Sequence, residues 1–111
     1  ELARNLATTP CSGRTLAVVG MLADKDIVGA LAALEGRVDV WLVAGLDTPR
    51  GASARTLADV VAGLGGDVLQ FASPEQAFAH AVGRAGEDDR IAAFGSFYTV
   101  AAVMRMLAKR P

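Results

Sequence analysis

Aromatic side chains are scarce in this 111-residue chain, at 5% against 52% hydrophobic residues overall. The interior therefore has to be assembled from Ala, Val and Leu, which suits helices packed on a parallel sheet buried on both faces. A single cysteine, Cys11, excludes an intrachain disulfide and fits a reducing, cytoplasmic compartment. A single histidine, His80, gives no cluster of imidazoles for a metal. It falls opposite the Ala77/Phe78/Ala81 stripe of its helix, where a surface position is expected. The formal charge is −1, with no basic run beyond the terminal "AKRP", so the footprint of a nucleic-acid binder is missing. No apolar run nears the ~20 residues that cross a bilayer, and neither a signal peptide nor a membrane partner is expected. No Gly-x-x-x-x-Gly-Lys-Ser/Thr loop is present to cradle ATP phosphates. The "GLGGD" word ends a helix instead of opening one, so it is no dinucleotide fingerprint.

What is present is a fourfold alternation of strand and helix. "TLAVV" (15–19), "VDVWLV" (38–43), "DVLQF" (67–71) and "RIAAF" (90–94) read as strands, the third more polar and nearer an edge. The helices between them are "DKDIVGALAAL", "SARTLADVVAGLG", "SPEQAFAHAVGRA" and "SFYTVAAVMRMLAKR". Ser73, Pro74 and Gln76 predict a capping-box start for the third, and Gly65–Gly66 a C-terminal stop for the second. Val100, Val103, Met104 and Leu107 form the expected apolar stripe of the last helix, and Trp41 belongs in the core. Short links between such units imply parallel pairing. The expected fold is α/β, a three-layer Rossmann-like domain with a mainly parallel sheet, and residues 1–111 form one domain. The opening "ELARNLA" is helical in character without a cap, which suggests a piece of something longer.

Ligands of open α/β sheets gather at the carboxyl ends of the strands. Four loops lie there. "ASPEQ" is explained by capping. "GMLADKD" carries Asp24, Lys25 and Asp26, more charge than one helix cap needs, and Lys25 sits where the helix dipole favours an anion. The loop is either helix punctuation or the rim of a site. "LDTPRGAS" sets Arg50 beside a helix start, as a solvated turn residue or as part of a carboxylate or phosphate pocket. In "GSFYT", Gly95 permits close backbone approach. Ser96 either caps the helix and does nothing else, or also offers its hydroxyl to a small anionic ligand.

"GMLADKDI", "LDTPRGA" and "FGSFYTV" occur in order at strand-to-helix junctions. Together they resemble the C-terminal domain of the bacterial dihydrofolate synthase/folylpolyglutamate synthase family, within the Mur ligase superfamily, over residues 14–109. The resemblance implies a Mur-ligase-type C-terminal domain lacking its first strand, because the family's opening Asp-Gly-Ala-His-Asn-Pro-like motif has no counterpart here. An apolar sheet edge would then be open. It further implies an ATP-dependent ligase that joins L-glutamate to dihydropteroate, or extends folate polyglutamate chains, through an acyl phosphate. ATP and Mg²⁺ would be bound mainly by an upstream ATPase domain absent from this chain. The implied partners are the folate or pterin substrate, L-glutamate and that ATPase domain, with the 111 residues inactive alone. Ser96 is the first choice for a glutamate contact, followed by Lys25 and Arg50. Asp24, Asp26, Asp47 and Tyr98 are candidates for the rim or an interdomain surface. No catalytic base, metal ligand or cofactor of the chain's own is expected.

Two alternatives stand beside this. One is a stand-alone α/β ligand-binding module; a receiver-type module is disfavoured because no Lys follows the last strand. The other is the C-terminal domain of a cell-wall Mur ligase.

Overall fold

The structure, a computed structural model, describes residues 13–108. The "ELARNLA" segment, Cys11, Lys109 and Arg110 lie outside the described residues. Four strands, β1 (Thr15–Val19), β2 (Val40–Ala44), β3 (Val68–Phe71) and β4 (Arg90–Phe94), alternate with α1 (Ile27–Ala32), α2 (Ala54–Gly63), α3 (Pro74–Arg84) and α4 (Phe97–Ala108). The sheet order is β3-β2-β1-β4, and every pairing is parallel. The expected three-layer α/β architecture is what forms.

Alternation along the central strands builds the layers. Ala17, Val19, Trp41 and Val43 face one side and pack with Leu31, Leu57 and Val61 of α1 and α2. Leu16, Val18, Val40, Leu42 and Ala44 face the other side, against Ala77, Phe78 and Ala81 of α3 and Val103 of α4. Both central strands are buried along their whole length, whereas β3 and β4, at the ends of the sheet, are mostly half-buried. Trp41 is in the core as expected, edge-on to Phe94 with ring centroids 6.4 Å apart. His80 is exposed, its ring against Phe71 at 5.2 Å.

Local chemistry sets most element boundaries. Ser73 caps α3 by accepting from the Gln76 N–H at 3.2 Å. The Gln76 side chain reaches back to the N–H of Ala72, one residue before the cap. Strand β2 starts two residues later than its apolar pattern predicts. Asp39 is drawn aside to accept from the Thr15 N–H at 2.7 Å, which ties it to the start of β1.

The last helix corrects an expectation. Its stripe of Val100, Met104 and Leu107 is exposed, Met104 at 63%, and the buried face is Thr99, Ala102 and Val103. Hydrophobicity marked a face of α4, but the helix is rotated so that its small residues meet the sheet.

A charged knot closes the opposite end of the sheet. Asp89 accepts from the N–H groups of Arg14 at 2.7 Å and Gly86 at 2.9 Å, and pairs with the Arg14 guanidinium at 3.3 Å. The Gly86 N–H, then that of Arg14, then its guanidinium, hold the Asp89 carboxyl below its ordinary value. A folded-state pKa below the unfolded one gives stability that is present at neutral pH. That stability is lost as pH falls below the unfolded value of about 3.9 and through the folded one. Asp89→Asn is therefore expected to flatten the acid limb of the stability–pH curve, measured as urea midpoints between neutrality and strong acid. An unchanged limb would show that Asp89 is not a source of it.

Candidate functional site

Strand β1 leads to β2 on one side and has β4 on the other, so the chain's direction of progress reverses between β1 and β4. In open α/β sheets the ligand crevice lies at the carboxyl ends beside such a reversal. The "GMLADKD" loop leaves β1 there, and "GSFYT" leaves β4.

The "GMLADKD" and "LDTPRGAS" loops are zipped together. Leu22 and Gly51 form an antiparallel bridge, flanked by hydrogen bonds from the Ala23 N–H to the Arg50 carbonyl at 2.7 Å and from the Ala52 N–H to the Met21 carbonyl at 2.8 Å. This resolves the excess charge of "ADKD". Asp26 is the N-cap of α1, accepting from the Gly29 N–H at 3.1 Å. Asp24 pairs with Arg50 at 2.8 Å across the zipper. The hydrogen bond from Arg50 lowers the Asp24 pKa, although both side chains are more than half exposed. Such a surface pair steadies a loop without adding much stability. Lys25 alone of the three has neither a cap role nor an ion pair among the described residues.

The β1 and β4 loops are joined by a tighter contact. Gly95 has φ +112°, and a Cβ there would stand 2.6 Å from the Gly20 carbonyl oxygen. Thr99, fully buried, donates its hydroxyl to that same carbonyl at 2.8 Å. Ser96 caps α4, accepting from the Thr99 N–H at 3.2 Å, and its Oγ lies 3.0 Å from Thr99 Oγ1. Sequence patterning missed Thr99 as a structural joint. The Ser-x-x-Thr spacing that puts its N–H on the cap was the available signal, but its bond to Gly20 joins residues 79 apart in the chain.

Lys25 and Ser96 line one cleft of about 670 Å³, together with Leu22, Phe94, Phe97 and Tyr98. The first N–H groups of α4 open on the same end of the sheet, since a helix start leaves them without intrahelical partners. A cation and a helix N-terminus make a setting for a small carboxylate, with the Ser96 hydroxyl beside them. Tyr98 also borders a neighbouring cleft of about 460 Å³ with Asp47, Ser73, Glu75 and Arg105. Arg50 and Asp26 line neither cleft. The structure thus brings together Lys25, Ser96 and Tyr98, sets Asp47 in the neighbouring cleft that Tyr98 also borders, and leaves the Arg50–Asp24 pair outside both. The Ser73 loop, assigned to capping alone, both caps α3 and borders the second cleft.

Among the described residues no three His, Cys, Asp or Glu side chains converge as a metal site. No helix among them is long and apolar enough to cross a membrane.

Comparison with known proteins gives the architecture a family. Residues 1–97 match the family described as Mur ligase, glutamate ligase domain. The dihydrofolate synthase/folylpolyglutamate synthase of Escherichia coli (strain K12) is 42% identical over 109 residues, covering 98% of this chain and 25% of that protein. A Yersinia pestis bifunctional folylpolyglutamate synthase/dihydrofolate synthase complexed with AMPPNP and Mn superposes with a TM-score of 0.87 at 45% identity, over 96% of this chain and 25% of that one. The same enzyme type with Mn, AMPPNP and L-glutamate bound gives the same TM-score, identity and coverage. The chain spans about a quarter of the length of these relatives. By its match over most of its length and by its fold, the chain belongs to the Mur ligase family, as a glutamate ligase domain.

Proposed function

We propose that this chain is most of the C-terminal domain of an ATP-dependent ligase that joins L-glutamate to dihydropteroate, extends folate polyglutamate chains, or does both. Its part is to hold glutamate. The observation that carries this is the convergence of Lys25 and Ser96 on one cleft at the β1–β4 crevice. The relatives named above supply the reaction class, and one of them binds L-glutamate beside a nucleotide and Mn.

In this scheme an upstream ATPase domain of the parent protein binds ATP and Mg²⁺, and the nucleotide supplies the phosphoryl group that activates the pterin carboxylate. The residues of this chain orient the attacking amine. Lys25 neutralises a glutamate carboxylate, Ser96 accepts a directional hydrogen bond from the glutamate amine, and Tyr98 walls the cleft. Fixing the amine against the activated carboxyl lowers the barrier by removing its freedom to tumble. Arg50, paired with Asp24, acts from the rim, and Asp26 holds the loop by capping α1. Asp47 borders the side facing the ATPase domain. A cytoplasmic parent accords with the single cysteine.

In the intact protein, ADP release is expected to require both L-glutamate and a pteroyl acceptor. Release driven by a cell-wall precursor acceptor instead would overturn the folate assignment. The 111-residue chain with the same substrates is expected to release no ADP, and turnover by it would sink the division of labour. Ser96→Ala in the intact protein is expected to raise the KM for glutamate about tenfold, the loss of one hydrogen bond, with little change in the KM for ATP. An unchanged glutamate KM would remove Ser96 from the site.

A further inference from the structure

We infer that Thr99 is a positioning residue for the glutamate cleft, acting through Ser96 and Gly20; the inference rests on the glutamate-site reading above. Thr99 lies beneath the cleft, fully buried, and does not line it. Its single hydroxyl proton is committed to the Gly20 carbonyl at 2.8 Å. The 3.0 Å contact with Ser96 Oγ must then have Ser96 as the donor. Ser96 also accepts from the Thr99 backbone N–H at 3.2 Å. Two bonds to one residue therefore fix the Ser96 rotamer and the direction of its proton, and leave one lone pair uncommitted.

The other end of the joint reaches the lysine. Gly20 is the first residue after β1, and its carbonyl begins the loop that carries Lys25. Thr99 Oγ1 lies 2.5 Å from where a Gly20 Cβ would stand, so no side chain fits between them. One buried hydroxyl thus couples the loop after β1 to the start of α4, the two segments that deliver Lys25 and Ser96. An apolar residue would fill the same space as well, or better, if packing were the only requirement. A buried threonine with every hydrogen-bonding atom engaged marks a requirement for geometry.

The test is steady-state kinetics in the intact ligase. Thr99→Val keeps the volume and removes both hydroxyl bonds. It is expected to raise the KM for glutamate about tenfold, leaving kcat and the KM for ATP within about twofold. Thr99→Ser keeps the hydroxyl and is expected to restore the wild-type glutamate KM. Because Thr99 acts in part through Ser96, the Ser96→Ala/Thr99→Val double variant is expected to raise the glutamate KM by clearly less than the product of the two single effects, where independent sites would multiply. A Thr99→Val enzyme that melts earlier but keeps its glutamate KM overturns the inference, as does a raised KM in Thr99→Ser. Should Thr99→Val not fold, Thr99→Ala carries the same comparison. If Ser96→Ala itself leaves the glutamate KM unchanged, the site reading falls. If only Thr99→Val does, the site stands and Thr99 is merely structural.

Discussion

Gly95→Ala is expected to destabilise the domain by roughly 3 kcal/mol, the scale of a strained, overcrowded backbone position. Two independent effects act at this residue. Its φ of +112° lies in a region that side-chain-bearing residues rarely adopt. The added methyl would also stand 2.6 Å from the Gly20 carbonyl oxygen and 2.7 Å from Met21 Cγ. The first of these neighbours is backbone at the end of a fully buried strand, so it cannot step aside as a flexible side chain can. Relief would have to come from separating β1 and β4 at their carboxyl ends. That movement would strain the Gly20 N–H to Phe94 carbonyl hydrogen bond, already 3.4 Å long, and the Thr99 bond beneath it. Urea unfolding of the wild-type and variant chains measures the effect directly. A midpoint unchanged by Gly95→Ala would mean that this crossing is not as tight as described.

Lys25→Ala carries the second large effect, this time on binding. In the intact protein the KM for glutamate is expected to rise about ten- to a hundredfold, since hydrogen bonds to charged groups contribute about 1.5–3 kcal/mol. Stability should hardly change, because Lys25 is exposed and forms no ion pair among the described residues. Lys25→Arg is expected to rescue only partly, because a planar fork does not reproduce a compact ammonium at a tight loop. Raising the salt should weaken glutamate binding in the wild type more than in Lys25→Ala. A glutamate KM that ignores the loss of Lys25 would reassign the lysine to loop structure and leave Ser96 as the cleft's polar contact.

Asp24, Lys25 and Asp26 are adjacent in sequence, yet their placements diverge. Asp26 capping α1 was legible, since an acceptor beside a helix start has an obvious partner in the next turn. The pairing of Asp24 was not, because Arg50 comes from another loop and is brought near by the Leu22–Gly51 bridge. Only once both aspartates are accounted for does Lys25 stand out as the charge left facing the cleft. Met104 shows the complementary failure. Periodicity located an apolar face on the last helix. Which face turns inward depends on the shape of the sheet beneath, and small Ala102 with Thr99 lets α4 approach more closely than a Met–Leu stripe.

The sequence by itself determined the alternation of elements, the parallel sheet, the cap at Ser73, and the carboxyl edge that carries the candidate site. These depend on contacts within a few residues or on a periodicity of two or 3.6, so they are written locally. Tertiary structure alone decided which loops touch, how the charges of "ADKD" are divided, and which face of α4 is buried. It also made Thr99 the joint between Ser96 and Gly20. These depend on contacts between segments far apart in the chain, whose geometry exists only after β1 and β4 have paired.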